Sequence, residues 1–132
     1  MTTPPTTIEL TEIIFPDDAN HYGTLFAGNA LKLMAKAAFL VGRRRAACDV
    51  VIAGVNGVKF LTPVPVGHVL TLRAAVSRVG RTSMTAQVHG WAEAVGAARQ
   101  QVLEGVFELV VVDAAGRPAP VDRPIQQTKE TE

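Results

Sequence analysis

The sequence predicts an α+β fold in which one long helix is covered by a curled antiparallel sheet. Three observations predict it. Residues 28 to 45 are the one stretch that reads as a convincing helix. The remaining apolar stretches follow the two-residue period of half-buried strands. The turn at Gly80-Arg81 is short enough for a hairpin, and hairpins join antiparallel strands.

Residues 1–6 are rich in Thr and Pro and are expected to form a flexible N-terminus. Residues 7–118 are expected to form a single domain. Its first strand is TIELTEIIF at 7–15, β-branched and alternating, closed by the turn chemistry of Pro16-Asp17-Asp18. The helix follows. It has no proline, one interior glycine (Gly42) and many Ala, Leu, Lys and Arg residues, all strong helix formers. Leu31, Leu33, Met34, Ala37, Ala38, Leu40 and Val41 spread over most of its circumference, while Lys32, Lys36 and Arg43 share one narrow stripe. A helix apolar nearly all round should be buried nearly all round.

The rest of the chain supplies the cover. Residues 50–60 read as a strand with a bulge at Asn56-Gly57. Residues 61–67 are a Pro-rich turn. Residues 69–79 place Leu70, Leu72, Ala74 and Val76 on one face, and residues 82–92 place Met84, Ala86 and Val88 on one face. In residues 101–112, Leu103, Phe107, Leu109 and Val111 lie opposite Glu104 and Glu108. A sheet of five or six strands results, and its mixed outer face points to a second copy as partner. Residues 119–132 are polar and are expected to form a flexible tail.

Composition removes several function classes. Apolar residues make up 48% and charged residues 19%, a globular balance. Basic and acidic residues number 13 and 12, which is no footprint for nucleic acid. No apolar run approaches the ~20 residues of a membrane span. The start, MTTPP, has no basic segment followed by an apolar one, so no secretory signal is expected. Cys48, the single cysteine, cannot form an internal disulfide, which suits a reducing cytoplasm.

His21, His68 and His89 lie on three different elements without metal-ligand spacing, so no metal is expected. Cys48 has no evident base beside it and reads as a structural thiol. No Gly-x-Ser-x-Gly elbow occurs. Arg43-Arg44-Arg45 reads as a helix end whose cations complement the dipole. The stretch ANHYGTLFAGNAL at 19–31 carries more promise. The first N–H groups of the helix point out of it with the positive dipole end behind them. Small residues at Ala27 and Gly28 would let a carbonyl approach that backbone, a geometry suited to an oxyanion. Asn20 could hold the carbonyl or a water, His21 could touch a ligand, or the stretch could simply be a helix cap. The hairpin Arg78-Val79-Gly80-Arg81-Thr82-Ser83 reads either as an exposed turn or as an anion site, because arginine forks and hydroxyls suit phosphate oxygens.

Three stretches together resemble one family. Pro16 to Gly28 with Leu33-Met34-x-Lys36-Ala37-Ala38-Phe39, then Phe60-Leu61-Thr62-Pro63-Val64-Pro65-Val66-Gly67, then Arg78 to Met84, are similar to the hotdog-fold acyl-CoA thioesterases. The resemblance covers residues 8 to about 113. It implies a long helix wrapped by an antiparallel sheet. It also implies acyl-CoA as substrate, no separate cofactor, and homodimers that join sheets edge to edge and build tetramers or hexamers. Asn20 would position water or thioester, with His21 beside it. Ala27 and Gly28 would polarise the thioester carbonyl. Arg78, Arg81, Thr82 and Ser83 would face coenzyme A, often that of the neighbouring subunit.

The departures are as informative. Ala35 stands where the family pattern has an Asp that serves as general base or nucleophile. Ala27 stands where the family has Gly, and Gly54-Val55-Asn56-Gly57 replaces a serine-containing run. The expected function is therefore hydrolysis of fatty acyl-CoA, weakened at Ala35. The alternative is an acyl-CoA-binding or regulatory protein without turnover. A hotdog dehydratase or hydratase, with His21 as its one positional candidate, is a distant third.

Overall fold

The computed structural model describes residues 5–122. The order of elements is β1 (Thr7–Ile13), a short 3-10 turn (Pro16–Asp18), α1 (Ala27–Ala46), β2 (Val50–Phe60), β3 (Val69–Val79), β4 (Ser83–Glu93) and β5 (Gln100–Val111). The five strands form one antiparallel sheet in the order β1-β3-β4-β5-β2. The lower of the expected strand numbers is the one observed.

The alternation in each strand decides which face meets the helix. Leu70, Leu72 and Ala74 of β3, Met84, Ala86 and Val88 of β4, and Phe107, Leu109 and Val111 of β5 are buried against α1. From the helix, Ala30, Met34, Ala37, Ala38, Val41 and Ala46 enter the same core. Small helix residues allow a close approach. At Gly42 an added Cβ would lie 2.5 Å from Leu109 Cδ1, so nothing larger than hydrogen fits. The bulge expected in β2 is present. The β2–β5 register shifts between Asn56 and Lys59, and Gly57 takes the left-handed φ of 60°.

The helix is less completely covered than its apolar spread predicts. The sheet buries one face only. Leu31 keeps 37% of its surface exposed, and Ala35 and Phe39, on the same stripe, are half-buried. The strand at one sheet edge, β2, also exposes Val51, Val55 and Phe60. The physical reason is size. Five strands curl over one side of a cylinder and cannot close around it.

The expected tail at 119–132 is corrected at its start. Ala119 and Val121 are buried in the core. The Ala119 amide donates to the Val111 carbonyl and the Val121 amide to the Arg81 carbonyl, both at 2.8 Å. The ordered domain thus runs past 118, because two apolar residues in a polar stretch find a place beside β5. Residues 123–132 lie outside the described residues, as do 1–4 of the expected flexible N-terminus. Thr6 is already tied down, its carbonyl accepting from the Val76 amide at 3.1 Å.

Candidate active site

The loop before α1 is built around Asn20. Its Oδ1 accepts from the Tyr22 amide at 2.9 Å, the Thr24 amide at 3.2 Å and the Thr24 hydroxyl at 3.2 Å. Asn20 is therefore not a helix cap. It closes its own turn, as asparagine commonly does. Backbone N–H groups can only donate, so they fix which end of the amide is oxygen. The Nδ2 donor has no hydrogen-bond partner among the described residues. Gly23, with φ 79°, completes the bend.

Backbone bonds then clamp this loop to the Pro-rich segment 61–67. The Leu25 amide donates to the Val64 carbonyl at 2.7 Å, and the Val66 amide to the Gly23 carbonyl at 3.0 Å. Asp18 holds the other side, its carbonyl accepting from the Phe26 amide at 2.9 Å and from Asn29 Nδ2 at 3.1 Å. The start of α1 is thus fixed from two directions.

That start carries free donors. Phe26 is the N-cap and contributes no side-chain cap bond. The first helical bond runs from the Ala30 amide to the Phe26 carbonyl at 3.0 Å. The N–H groups of Ala27, Gly28 and Asn29 precede it and have no acceptor inside the helix. Ala27 and Asn20 line one cleft of about 240 Å³, with Thr24, Leu25, Ala30, Phe60, Thr62, Pro63, Val64 and Leu103. Its lining is mostly apolar with a few polar side chains, as expected for a small-molecule site.

Two predicted site residues sit elsewhere. His21 is exposed, its ring 4.0 Å from that of Tyr22, and does not line the cleft. Gly28 faces the Phe26 ring, where an added Cβ would meet Cε2 at 2.9 Å. Phe26 fills the space its missing side chain leaves, while the Gly28 N–H remains one of the helix-start donors. Two others were missed by sequence reasoning. Thr24 and Thr62 bring hydroxyls to the cleft, and their signal was local: each adjoins a turn segment that the loop contacts pin together.

Ala35 lies two turns past Gly28, half-buried against the core. No carboxylate lines the cleft. Asp18 points away, its Oδ2 accepting from the Phe15 amide at 3.0 Å and facing a separate hollow with Glu12, Asn29, Lys32 and Lys36. Among the described residues no cluster suits a metal ion, and no helix is long and apolar enough to cross a membrane.

The β3–β4 turn is a second, separate region. The Gly80 amide donates to the Ser83 carbonyl at 2.7 Å. Arg78 is committed internally. Its Nε donates to Thr85 Oγ1 at 2.9 Å, its Nη2 to Ser83 Oγ at 3.2 Å, and Nη2 lies 3.5 Å from Glu108 Oε1. Thr85 Oγ1 in turn donates to that carboxylate oxygen at 2.8 Å. Arg81 is exposed beside this network, with Thr82 half-exposed next to it.

The two regions stand at opposite ends of the helix. Arg44 Nη1 donates to the Thr7 carbonyl at 3.2 Å, and Thr7 pairs with Ala75 of β3. Arg45 pairs with Asp122 at 3.0 Å, one residue from the Val121 that bonds Arg81. The Arg78–Ser83 turn therefore lies beside the C-terminus of α1, about 30 Å along a 20-residue helix from its start. Near that end is a broader hollow of about 730 Å³, lined by Arg43, Arg44, Cys48, Asp49 and Asp113 among others. Ala47, Val112 and Ala114 share its lining with these charged side chains. Arg43 there faces Asp49 at 3.5 Å, and Cys48 Sγ donates to the Val112 carbonyl at 3.3 Å.

Comparison with known proteins agrees with this arrangement. An acyl-CoA thioester hydrolase of Zymomonas mobilis, itself uncharacterized, is 34% identical over 118 residues, spanning 89% of this chain and 78% of the relative. An acyl-CoA hydrolase from Staphylococcus aureus, solved with butyryl coenzyme A, coenzyme A and coenzyme A disulfide, superposes with a TM-score of 0.83 at 26% identity, covering 87% of this chain and 71% of that one. Solved variants of it change to alanine an asparagine and an aspartate as far apart in sequence as Asn20 and Ala35 are here. An apo-hexameric acyl-CoA thioesterase superposes with a TM-score of 0.86 at 30% identity, over 96% of this chain and 83% of that one. The profile of the Thioesterase superfamily matches residues 22–98, from the Asn20 turn through β4, and the chain belongs to that superfamily.

Proposed function

We propose that the chain hydrolyses acyl-CoA to a free acid and coenzyme A, at a site completed by a second copy. The observation that carries this reading is the cleft at the start of α1, where unpaired helix N–H groups and the Asn20 Nδ2 donor meet an apolar groove. A thioester carbonyl oxygen placed there receives hydrogen bonds that strengthen as its charge develops, an effect typically worth about 10²–10³ in rate per donor. Asn20 Nδ2 donates to that oxygen or holds the attacking water. Water adds to the carbonyl carbon, the C–S bond breaks, and coenzyme A leaves as the thiol after taking up a proton.

Two features support assembly. The cleft and the Arg81–Ser83 turn belong to one ligand in the proposed reading, yet stand about 30 Å apart in one subunit. A partner running antiparallel brings its turn to this cleft. The exposed apolar residues of β2 and of the helix stripe at Leu31 and Phe39 offer a surface for that partner, and an uncovered edge strand invites pairing. The S. aureus protein with coenzyme A bound and the hexameric thioesterase support coenzyme A recognition and higher assembly, here a dimer built into a tetramer or hexamer. The absence of a cysteine pair suits a cytoplasmic setting.

Ala35 favours a second reading, binding without efficient turnover. A general base contributes roughly 10²–10⁴ in rate, and a methyl group contributes none. Release of free thiol from butyryl-, hexanoyl- and decanoyl-CoA distinguishes the two. The enzyme reading expects thiol release that Asn20→Ala abolishes. Tight binding of the same thioesters with no release above background supports the second reading, and neither binding nor release contradicts both.

A further inference from the structure

We infer that Met34 is the end wall of the acyl groove, so that the thioesters accepted carry short chains of about four to six carbons. The inference rests on the acyl-CoA reading above and adds its substrate class. The groove runs between α1 and β5. On the helix side it is floored by Ala27 and Ala30, small residues one turn apart. One further turn along the same face stands Met34, fully buried. On the sheet side the groove is lined by Leu103, paired with Phe60 across to β2. Two residues further, on the same face of β5, comes Gly105. There an added Cβ would lie 2.9 Å from Met34 Cε and 3.0 Å from Val58 Cγ2.

These distances place the methionine tip against β5 at Gly105, one step beyond the lining residues Ala30 and Leu103. The helix advances about 6 Å from Ala30 to Met34, and β5 advances about 7 Å from Leu103 to Gly105. Both walls therefore reach the same level, and there the thioether of Met34 fills the gap that a glycine leaves open. Gly105 admits the plug, and Ala30 keeps the groove open in front of it. A cleft of about 240 Å³ falls below the ~300–1,000 Å³ usual for small-molecule pockets, so a short chain fits in front of Met34 and a longer one meets it.

Calorimetric titration with non-hydrolysable thioether analogues tests this without needing turnover. Butyl-, hexyl- and decyl-CoA are compared with coenzyme A on the full chain, Met34→Ala and Ala30→Val. On the full chain, affinity should rise from coenzyme A to hexyl-CoA and fall at least about tenfold at decyl-CoA, the usual penalty when a pocket cannot take added methylenes. Met34→Ala should bring decyl-CoA to within about threefold of hexyl-CoA, and Ala30→Val should weaken hexyl-CoA about tenfold while leaving coenzyme A unchanged. Decyl-CoA binding the full chain as tightly as hexyl-CoA overturns the inference. So does a folded Met34→Ala with an unchanged profile. If Met34→Ala does not fold, Ala30→Val decides: no loss of hexyl-CoA overturns it. Alkyl analogues binding no better than coenzyme A overturn the acyl-CoA reading itself, whereas a flat preference among alkyl lengths overturns only the end wall.

Discussion

The two ends of α1 use their polar groups in opposite ways. At the N-terminal end, Asn20 satisfies the loop with its oxygen and keeps its nitrogen for something outside, and three helix N–H groups are left over. At the C-terminal end almost everything is satisfied internally. Arg78 is shared among Thr85, Ser83 and Glu108, Arg45 pairs with Asp122, and the helix closes with the Ala47 amide donating to the Arg43 carbonyl at 2.9 Å. A region prepared for a ligand leaves donors unpaired and held rigid. A region that supports the fold pairs them. Arg81 is the exception at the second end, and it is the group there best placed to meet a phosphate.

The largest expected effects come from Asn20. Asn20→Ala should lower thiol release from an acyl-CoA at least about 10²-fold, through loss of a donor to the developing oxyanion. It should also lower stability by about 1 kcal/mol, because the Tyr22 and Thr24 amides lose their acceptor and turn to water. Asn20→Asp separates the two. It keeps an acceptor for the loop and removes the donor, so the melting temperature should hold while turnover falls.

Ala35→Asp is the next largest. Restoring a carboxylate at this position should raise kcat by about 10²-fold or more, within the range of a general base. An unchanged kcat in a folded, acyl-CoA-binding variant would show that position 35 does not face the reaction.

Smaller effects divide the turn. Arg81→Ala should weaken coenzyme A binding by about tenfold, the loss of one charge-assisted bond, with no change in melting temperature. Arg78→Ala should do the reverse in emphasis. It strips Glu108 and Thr85 of their partner and should cost about 1 kcal/mol of stability, a modest figure for a half-exposed pair. The smallest change concerns Ala47, a non-glycine residue in the left-handed region at φ 52°. Ala47→Gly should raise stability by about 1 kcal/mol, measured by denaturant midpoint, with activity unchanged.

The sequence carried the fold well because periodicity reports on burial. The faces of β3, β4 and β5 read from alternation are the faces that meet α1, and the bulge at Asn56-Gly57 was marked by its glycine. The helix at 28–45 was legible within a residue at each end. What alternation cannot report is how far a sheet reaches around a helix, which is why Leu31 was expected inside. A polar average hid Ala119 and Val121, whose place depends on backbone bonds to Val111 and Arg81. Among the residues that line the cleft, Asn20 and Ala27 could be picked out from the turn and the helix start. The placements of His21 and Gly28 involve ring packing by Tyr22 and Phe26, and spacing is blind to that. Thr62 was hidden for a similar reason. It reaches the cleft through backbone bonds between two loops far apart in sequence.

The central claim is that one ligand spans the start of α1 in one copy and the β3–β4 turn of another. Mixing two variants within one oligomer tests it most directly. Asn20→Ala and Arg81→Ala each damage every site in their own homo-oligomer. In a mixed oligomer, half of the sites in each hybrid pair combine an intact Asn20 with an intact Arg81 from the other copy. At low concentrations of hexanoyl-CoA, the co-expressed, co-purified mixture should release thiol faster than either variant alone, because its hybrid sites turn over like those of the unaltered chain. A mixture whose rate is only the average of the two separate variants would contradict the account.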